Sequence, residues 1–398
     1  MDKKRKNGVY YTPRDVYNKL HDLLSTLNIK SVIDINCGDG ALLRPWESPY
    51  VDKIVGLDIE PRYKYGITYD SLNMPVYTYD KFDLCVGNPP YRLLKKSEHI
   101  GDEGMNDFVH KNGSNLFIAG LYKAMMYDAH YYAFVVPKNF LTLNKYVGCR
   151  NYLLDTTRIK AIIDLGQAFN GVRGEQVCII LTKDYPSQLE CLRQGKLYYR
   201  RPIGYYEDWV ILDSLVDELL FNQFNLFTTR MPSTSSCNVK EGIRGRDLDK
   251  FRLKSGQYNA NGDAVLVQRI YSAECGFKAV PASRSTRCNE SVRKIICDNE
   301  DVLCIVGLLH SKLLNYFYSH YLFNDSMLTL KAEYLKYLPM IKTHALDQVV
   351  EDMMIHGWGY DKQKELDELV YILFAVSDEE EEMIEKYFEG RWSKKWLQ

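Results

Sequence analysis

Four residues in the first half of the chain, Asn88-Pro89-Pro90-Tyr91, set an amide oxygen, a proline-flanked carbonyl and a phenol ring on one stiff corner. They follow the apolar run LCVG (84 to 87), which reads as a buried strand. Two consecutive prolines fix φ and remove two backbone donors, so neither a helix nor a sheet ladder runs through this point. Such a corner suits the gripping of a planar amino group. Two acceptors take the two N–H protons of an exocyclic amine while the ring stacks on its π system. Withdrawing those protons and bending the nitrogen toward tetrahedral geometry localises its lone pair and makes it a nucleophile. The matching electrophile is a methyl sulfonium, and in-line displacement calls for positioning more than for an acid or a base.

A second constellation lies upstream. VIDINCGDGALL (32 to 43) reads as a strand, a turn with glycines at 38 and 40, and a helix, so the backbone turns tightly at the carboxyl end of the strand. An ordinary connection looks the same, since the turn is not G-x-G-x-x-G. The next strand ends in LDIEP and places Asp58 about twenty residues on, where a carboxylate accepts both hydroxyls of a ribose. Asp34 and Asp58 also fit solvated turn carboxylates, and Thr12 fits a cap for the helix PRDVYNKLHDLL. Taken together, glycine turn and acidic strand end make a nucleoside pocket.

The elements that position these residues are short apolar runs between turn clusters. SVIDIN, KIVGLDIE, FDLCVGN, YYAFVVP, KAIIDLG and QVCIILT read as strands, and LFIAGLYKAMMYDA carries apolar residues at helical spacing. Near-continuous apolar strands alternating with helices predict an α/β sheet, mostly parallel and covered on both faces. The pattern fades near residue 190. Residues 239 to 254, VKEGIRGRDLDKFRLK, hold six basic residues, and 278 to 294, KAVPASRSTRCNESVRK, add more; both fit phosphate and base-edge contacts or a solvated loop. The last fifty residues read as helical, with KELDELVYILF apolar at 366, 369, 370 and 373. The expected division is a catalytic domain over 1–190, a second α+β domain over 191–345 and a helical segment over 346–398 packed on it.

Composition sets outer bounds. The chain of 398 residues is 46% hydrophobic and 26% charged, as expected of a soluble globular protein of more than one domain. Net charge is −1, yet residues 195–342 hold 20 Lys and Arg against 16 Asp and Glu, while 351–398 hold 6 against 13. An acidic tail thus hides a mildly basic middle. The 10 cysteines form no C-x-x-C pair and the 8 histidines no ligand spacing, so reduced thiols and no metal are expected. No apolar run reaches membrane-span length and MDKKRKNG lacks a secretory core, so the expected location is cytoplasmic.

These motifs, in this order, resemble the gamma class of N6-adenine DNA methyltransferases of restriction-modification systems. GVYYTP (8–13) is similar to that class's N-terminal cofactor motif, VIDINCGDG to its glycine motif, GLDIEP to its ribose motif and GITYDSL (66–72) to its adenine-facing segment. NPPY is similar to its catalytic tetrad, NLF and FVVP to later scaffold motifs, and DLGQAFNGVRGEQVCIIL to the motif whose aromatic residue packs on a flipped base. The resemblance implies an S-adenosylmethionine-dependent, Rossmann-like catalytic sheet followed by a DNA target-recognition domain. It implies that Tyr11, Thr12 and Pro13 line the methionine end, and that Asp34 binds the cofactor's amino group, beside Asn36, Cys37 and Gly38. Asp58 and Ile59 would hold the ribose, and Asp70 the adenine amine, with Ser71 where relatives carry a large apolar residue. Asp80 lies near enough in sequence to compete with Asp70. Asn88 and the Pro89 carbonyl would accept from the target amine, with Tyr91, next to Pro90, on one face of the base and Phe169 on the other. Phe169 also reads as plain core.

The second half is similar, more loosely, to the target-recognition domain of that class and to specificity subunits, and implies Arg244, Arg246, Lys250, Arg284 and Arg287 as contacts to double-stranded DNA. A monomer is expected, with any cognate restriction endonuclease acting separately and no room for a nuclease module before residue 8. NPPY occurs as well in enzymes that methylate a protein glutamine amide, and close variants in RNA guanine methyltransferases. The glutamine enzymes place a small helical domain before the sheet and little after it, unlike this chain.

Overall fold

The computed structural model describes residues 12–169, 174–184, 189–193, 196–200, 209, 233–235, 242–255, 262–322, 328–390 and 392. The chain forms two compact units, Met1–Asp213 and Ser214–Gln398, so the first extends past residue 190.

In the first unit, α1 (Arg14–Leu24) buries Val16, Leu20 and Leu24, one residue per turn, on one stripe. The elements that follow are β1 (Ser31–Asp34), β2 (Lys53–Asp58), β3 (Gly66–Thr68), β4 (Phe82–Gly87), α2 (Glu103–Lys111), α3 (Leu116–Ala124), β5 (Ala129–Pro137), α4 (Val147–Thr156), β6 (Arg158–Gly166), β7 (Gln176–Thr182), β8 (Leu189–Arg193) and β9 (Lys196–Arg200). They make one nine-stranded sheet in the order β3-β2-β1-β4-β5-β7-β6-β8-β9. β3, β2, β1, β4 and β5 run parallel. Each of the six apolar runs read as strands forms one.

Alternation along each strand divides the core in two. Val32, Leu84 and Val86 face α1, while Ile33, Cys85 and Phe134 face α2 and α3 on the other side. Helix α3 is buried on nearly every side and is capped by Asn115, whose side chain accepts from the Phe117 N–H. The sheet departs from parallel at β7, antiparallel to both β5 and β6, and at the edge strand β9, antiparallel to β8. Only residues 167–175 join β6 to β7, too few for the dozen or so that a parallel crossover needs.

From β1 the chain winds outward to β2 and β3, then returns to place β4 on the other flank of β1. That reversal opens a crevice beyond the carboxyl ends of β1 and β4, where ligands of open α/β sheets bind.

The second unit holds β10 (Ser233–Ser235), β11 (Ala264–Gln268), β12 (Ala279–Ala282) and β13 (Val292–Ile296), an antiparallel sheet in the order β10-β13-β11-β12. Helices α5 (Val302–His310), α6 (Lys312–Phe317), α7 (His344–His356), α8 (Tyr360–Leu373) and α9 (Asp378–Phe388) follow. α7 packs on α5, α8 on α7, and α9 on α6. In α8 the buried stripe includes Asp367, which accepts the Lys312 N–H at 2.7 Å, so one intended apolar face carries a polar anchor. Among the described residues no single helix is long and apolar enough to cross a membrane. Cys37, Cys85, Cys149, Cys178, Cys275, Cys297 and Cys304 are free and buried, whereas Cys288 is disulfide-bonded, a departure from the reduced set expected.

Candidate active site

The carboxyl ends of β1, β2 and β4 carry Asp34, Asp58 and Asn88, three of the residues that sequence reading singles out. Tyr11 lies outside the described residues. At the end of β4 the Asn88 side chain is held from both sides: its Nδ2 donates to Thr12 Oγ1 at 3.1 Å, and its Oδ1 accepts from the Tyr91 hydroxyl at 2.9 Å. The cap of α1 is Pro13, so the Thr12 hydroxyl serves Asn88 and not the helix end. The Tyr91 hydroxyl also faces the Val135 carbonyl at 3.1 Å, and its ring meets Phe117 edge-on. Burial holds this phenol well above its ordinary pKa, so it stays a neutral donor with one proton between two acceptors.

Pro89 is seated on α3. A Cβ on Gly120 would stand 2.5 Å from Pro89 Cβ and 3.4 Å from Asn36 Oδ1, so only glycine lets corner and helix approach this closely. Sequence reading missed Gly120. Its signal was a glycine in mid-helix, which propensity disfavours unless packing requires it.

Beyond β1, Asp34 is 2% exposed, and its Oδ1 accepts from the Asn36 N–H at 2.9 Å. Burial raises its pKa to about 8, opposed by that hydrogen bond and reinforced by Asp58 and Asp39. Asp58 accepts from the N–H groups of Gly38 and Glu60, each at 2.9 Å, which stitches the end of β2 to the glycine turn. Cys37 is buried and its N–H donates to the Leu57 carbonyl, so the turn offers backbone there, not a reactive thiol. Gly40, at φ +78°, lies against the Tyr63 ring, where a Cβ would fall 2.2 Å from Cδ2. Ile59 is 60% exposed beside Asp58, an apolar side chain with no core to cover it.

Asp70 accepts from the N–H and Nδ2 of Asn73 at 3.2 and 3.0 Å. Ser71 is buried, with a hydroxyl that has no hydrogen-bond partner. Asp80 pairs with Lys53 at the amino end of β2, the far edge of the sheet from Asp58, which removes it from competition with Asp70. Phe169 is 3% exposed and packs among Val135, Ile163 and Cys178. Its ring is committed to the core, because it follows β6 directly over the apolar face of the sheet, so Tyr91 is the aromatic ring at the corner.

In the second unit Arg244, Arg246, Arg284 and Arg287 are exposed. Two hydrogen bonds, Ile243 N–H to the Arg287 carbonyl and Asn289 N–H to the Ile243 carbonyl, lay the two basic stretches side by side. Arg284 is paired with Asp263 at 3.1 Å. Lys250 departs from the expected phosphate contact. It is 5% exposed, with Nζ over the rings of Trp358 and Trp392 at 4.2 and 4.4 Å, and burial lowers its pKa to about 8.

A family model described as Eco57I restriction-modification methylase matches residues 52–170, the stretch holding Asp58, Asp70, the Asn88 corner and Phe169. Type II methyltransferase M.CvrRI of Paramecium bursaria Chlorella virus XZ-6E is 27% identical over 161 residues, covering 37% of this chain and 41% of that protein. Modification methylase CviBIII of Paramecium bursaria Chlorella virus NC1A is 24% identical over 215 residues, covering 50% and 54% respectively. The chain therefore spans about half or less of the length of these curated relatives. Among solved structures, the type IIL restriction-modification enzyme MmeI in complex with DNA matches with a TM-score of 0.57 at 14% identity, covering 98% of this chain and 80% of that one. That likeness is one of fold, and the first unit has a Rossmann-like α/β sheet.

Two outcomes follow from this packing. Gly120→Ala gains about 1 kcal/mol of helix propensity yet overpacks the Pro89 seat, for a net loss on the order of 1–3 kcal/mol, read as a lower urea midpoint at unchanged slope. Asp34 has a folded pKa of about 8 against 3.8 for the unstructured residue, so its stabilising contribution is complete below pH 3.8 and lost as pH rises toward 8. Asp34→Asn removes that loss: thermal melts at pH 8 should lie above wild type, by on the order of 5 °C, and the gap should shrink at pH 5.

Proposed function

We propose that the chain is a site-specific DNA methyltransferase that moves a methyl group from S-adenosylmethionine to N6 of an adenine flipped out of duplex DNA, as the modification enzyme of a restriction-modification system. The observation that carries this reading is the Asn88 amide, fixed at the end of β4 between Thr12 and Tyr91, with Asp34 and Asp58 at the ends of the neighbouring strands β1 and β2. The family match across residues 52–170 and the two viral methylases support it.

The residues present fit the cofactor. Asp34 is a buried acid whose ionised form lacks a compensating charge, which an ammonium group supplies. Asp58 and the exposed Ile59 suit a ribose and the apolar face of a purine, and Asp70, with the unpartnered Ser71 hydroxyl next to it, suits the purine's polar edge. Thr12, Pro13, Asn36, Cys37 and Gly38 would complete the wall. When bound, the cofactor supplies the electrophilic methyl group.

The chain's own part is positioning. Asn88 Oδ1 and the Pro89 carbonyl accept the two N–H protons of the target amine, drawing its lone pair out of conjugation, and Tyr91 covers the base. Accepting the amine strands no donor, because the single phenol proton of Tyr91 has the Val135 carbonyl as its alternative partner. Arg244, Arg246, Arg284 and Arg287 would track phosphates or read base edges in the second unit. The protein would act as a monomer, with any endonuclease separate.

Purified protein given radiolabelled S-adenosylmethionine should label duplex DNA at adenine N6, and Asn88→Ala should abolish labelling with the melting temperature retained. Label on RNA or on a release-factor glutamine would replace this reading with methylation of another planar amine. Replacing Arg244 and Arg246 together with Ala should weaken DNA binding across all sequences and reduce the log–log salt slope by about one to two, measured by fluorescence anisotropy over a salt series.

A further inference from the structure

One side chain joins two segments of the first unit that sequence reading keeps apart. Asn73 donates through its backbone N–H and its Nδ2 to the two carboxylate oxygens of Asp70, at 3.2 and 3.0 Å, and its Oδ1 accepts from the Gly101 N–H at 2.9 Å. The partners fix the polarity of this amide. A carboxylate only accepts and a peptide N–H only donates, so the side chain has one orientation that satisfies both.

Gly101 belongs to the stretch 92–102, which runs directly on from the Asn88–Tyr91 corner to Asp102, the cap of α2. Its approach to the Asp70 segment is close: a Cβ on Gly101 would stand 3.1 Å from the Leu72 carbonyl oxygen. The stretch is laced together by Arg92 on Glu98 at 2.9 Å and by the Ile100 N–H on Asn106 Oδ1 at 3.1 Å. From the other side, Lys123 of α3 donates to the Met74 carbonyl at 2.7 Å, on the same helix whose Gly120 seats Pro89.

We propose that Asn73 is a positioning residue that couples cofactor occupancy at Asp70 to the order of the 92–102 stretch behind the catalytic corner. The inference rests on the methyltransferase reading, in which Asp70 takes the amino group of the cofactor's adenine. A ligand donor on Asp70 removes the remaining freedom of that carboxylate. Because Asn73 grips both of its oxygens, the 70–74 turn is fixed with it, and Oδ1 stays on the Gly101 N–H. The coupling is reciprocal: an ordered 92–102 stretch holds Asn73, which presets Asp70 and lowers the ordering cost of binding.

The test uses the full chain and S-adenosylhomocysteine as the probe, with calorimetry for affinity and hydrogen–deuterium exchange for order. In wild type, binding should slow exchange in residues 66–74 and also in 92–106. Asn73→Ala should weaken binding by about fivefold, the equivalent of one ordinary hydrogen bond, and confine the slowing to 66–74. Asn73→Asp keeps an acceptor for Gly101 but sets a second carboxylate against Asp70, so it should lose more affinity while free-protein exchange in 92–106 stays as in wild type. Slowing that still reaches 92–106 in Asn73→Ala overturns the coupling alone. A wild-type chain that binds no probe overturns the cofactor reading, and this inference with it.

Discussion

The site depends on one side chain being unable to rotate. An asparagine amide carries an acceptor and a donor at nearly the same reach, and a half-turn of the side chain exchanges them. Asn88 is pinned through Nδ2 by Thr12 and through Oδ1 by Tyr91, partners from opposite directions in the sequence. The backbone beneath it is equally constrained, since the two prolines cannot join a ladder and Pro89 sits where Gly120 leaves no room for a methyl group. Strand β4, its neighbours and α3 are then the scaffold that keeps this amide at the reversal point of the sheet.

Asp34 shows the complementary constraint. A carboxyl this deeply buried disfavours its own charge, and among the described residues a backbone donor from Asn36 offsets part of that cost. Such an arrangement is poor for stability and good for recognition, because a cation arriving there recovers free energy that the fold leaves unclaimed. Asp58 is the reverse case. Two backbone N–H groups already satisfy it, so it fixes the glycine turn while keeping lone pairs for hydroxyl donors.

The sheet was legible because its strands are Val- and Ile-rich runs bounded by Gly, Pro, Asn or Asp, and because the central strands are buried on both faces. The reversed direction of β7 was countable from the short 167–175 connection, although residue pattern alone gave no sign of it. Site residues at strand ends were legible for the same reason as the strands. Contacts that close over long separations were not: Thr12 meets Asn88, and Val135 contributes a backbone carbonyl that any residue would carry. Asp80 lies near enough in sequence to compete with Asp70, and only the fold shows it paired with Lys53 at the opposite end of β2 from Asp58.

Lys250 marks where charge stops being informative without depth. In sequence it is one of six basic residues in a glycine-containing stretch, indistinguishable from Arg244 and Arg246. In the fold its stem runs inward and its ammonium lies over Trp358 and Trp392, residues about a hundred or more positions away. Water is replaced there by two aromatic faces, which attract the cation but return less than full hydration, and the lowered pKa reflects that deficit. A charge so placed ties the 250 region to the C-terminal segment of its own unit and is unavailable to phosphate. The arginines at 244, 246 and 287 carry no such shield and stay exposed, so depth separates them from Lys250 where sequence did not.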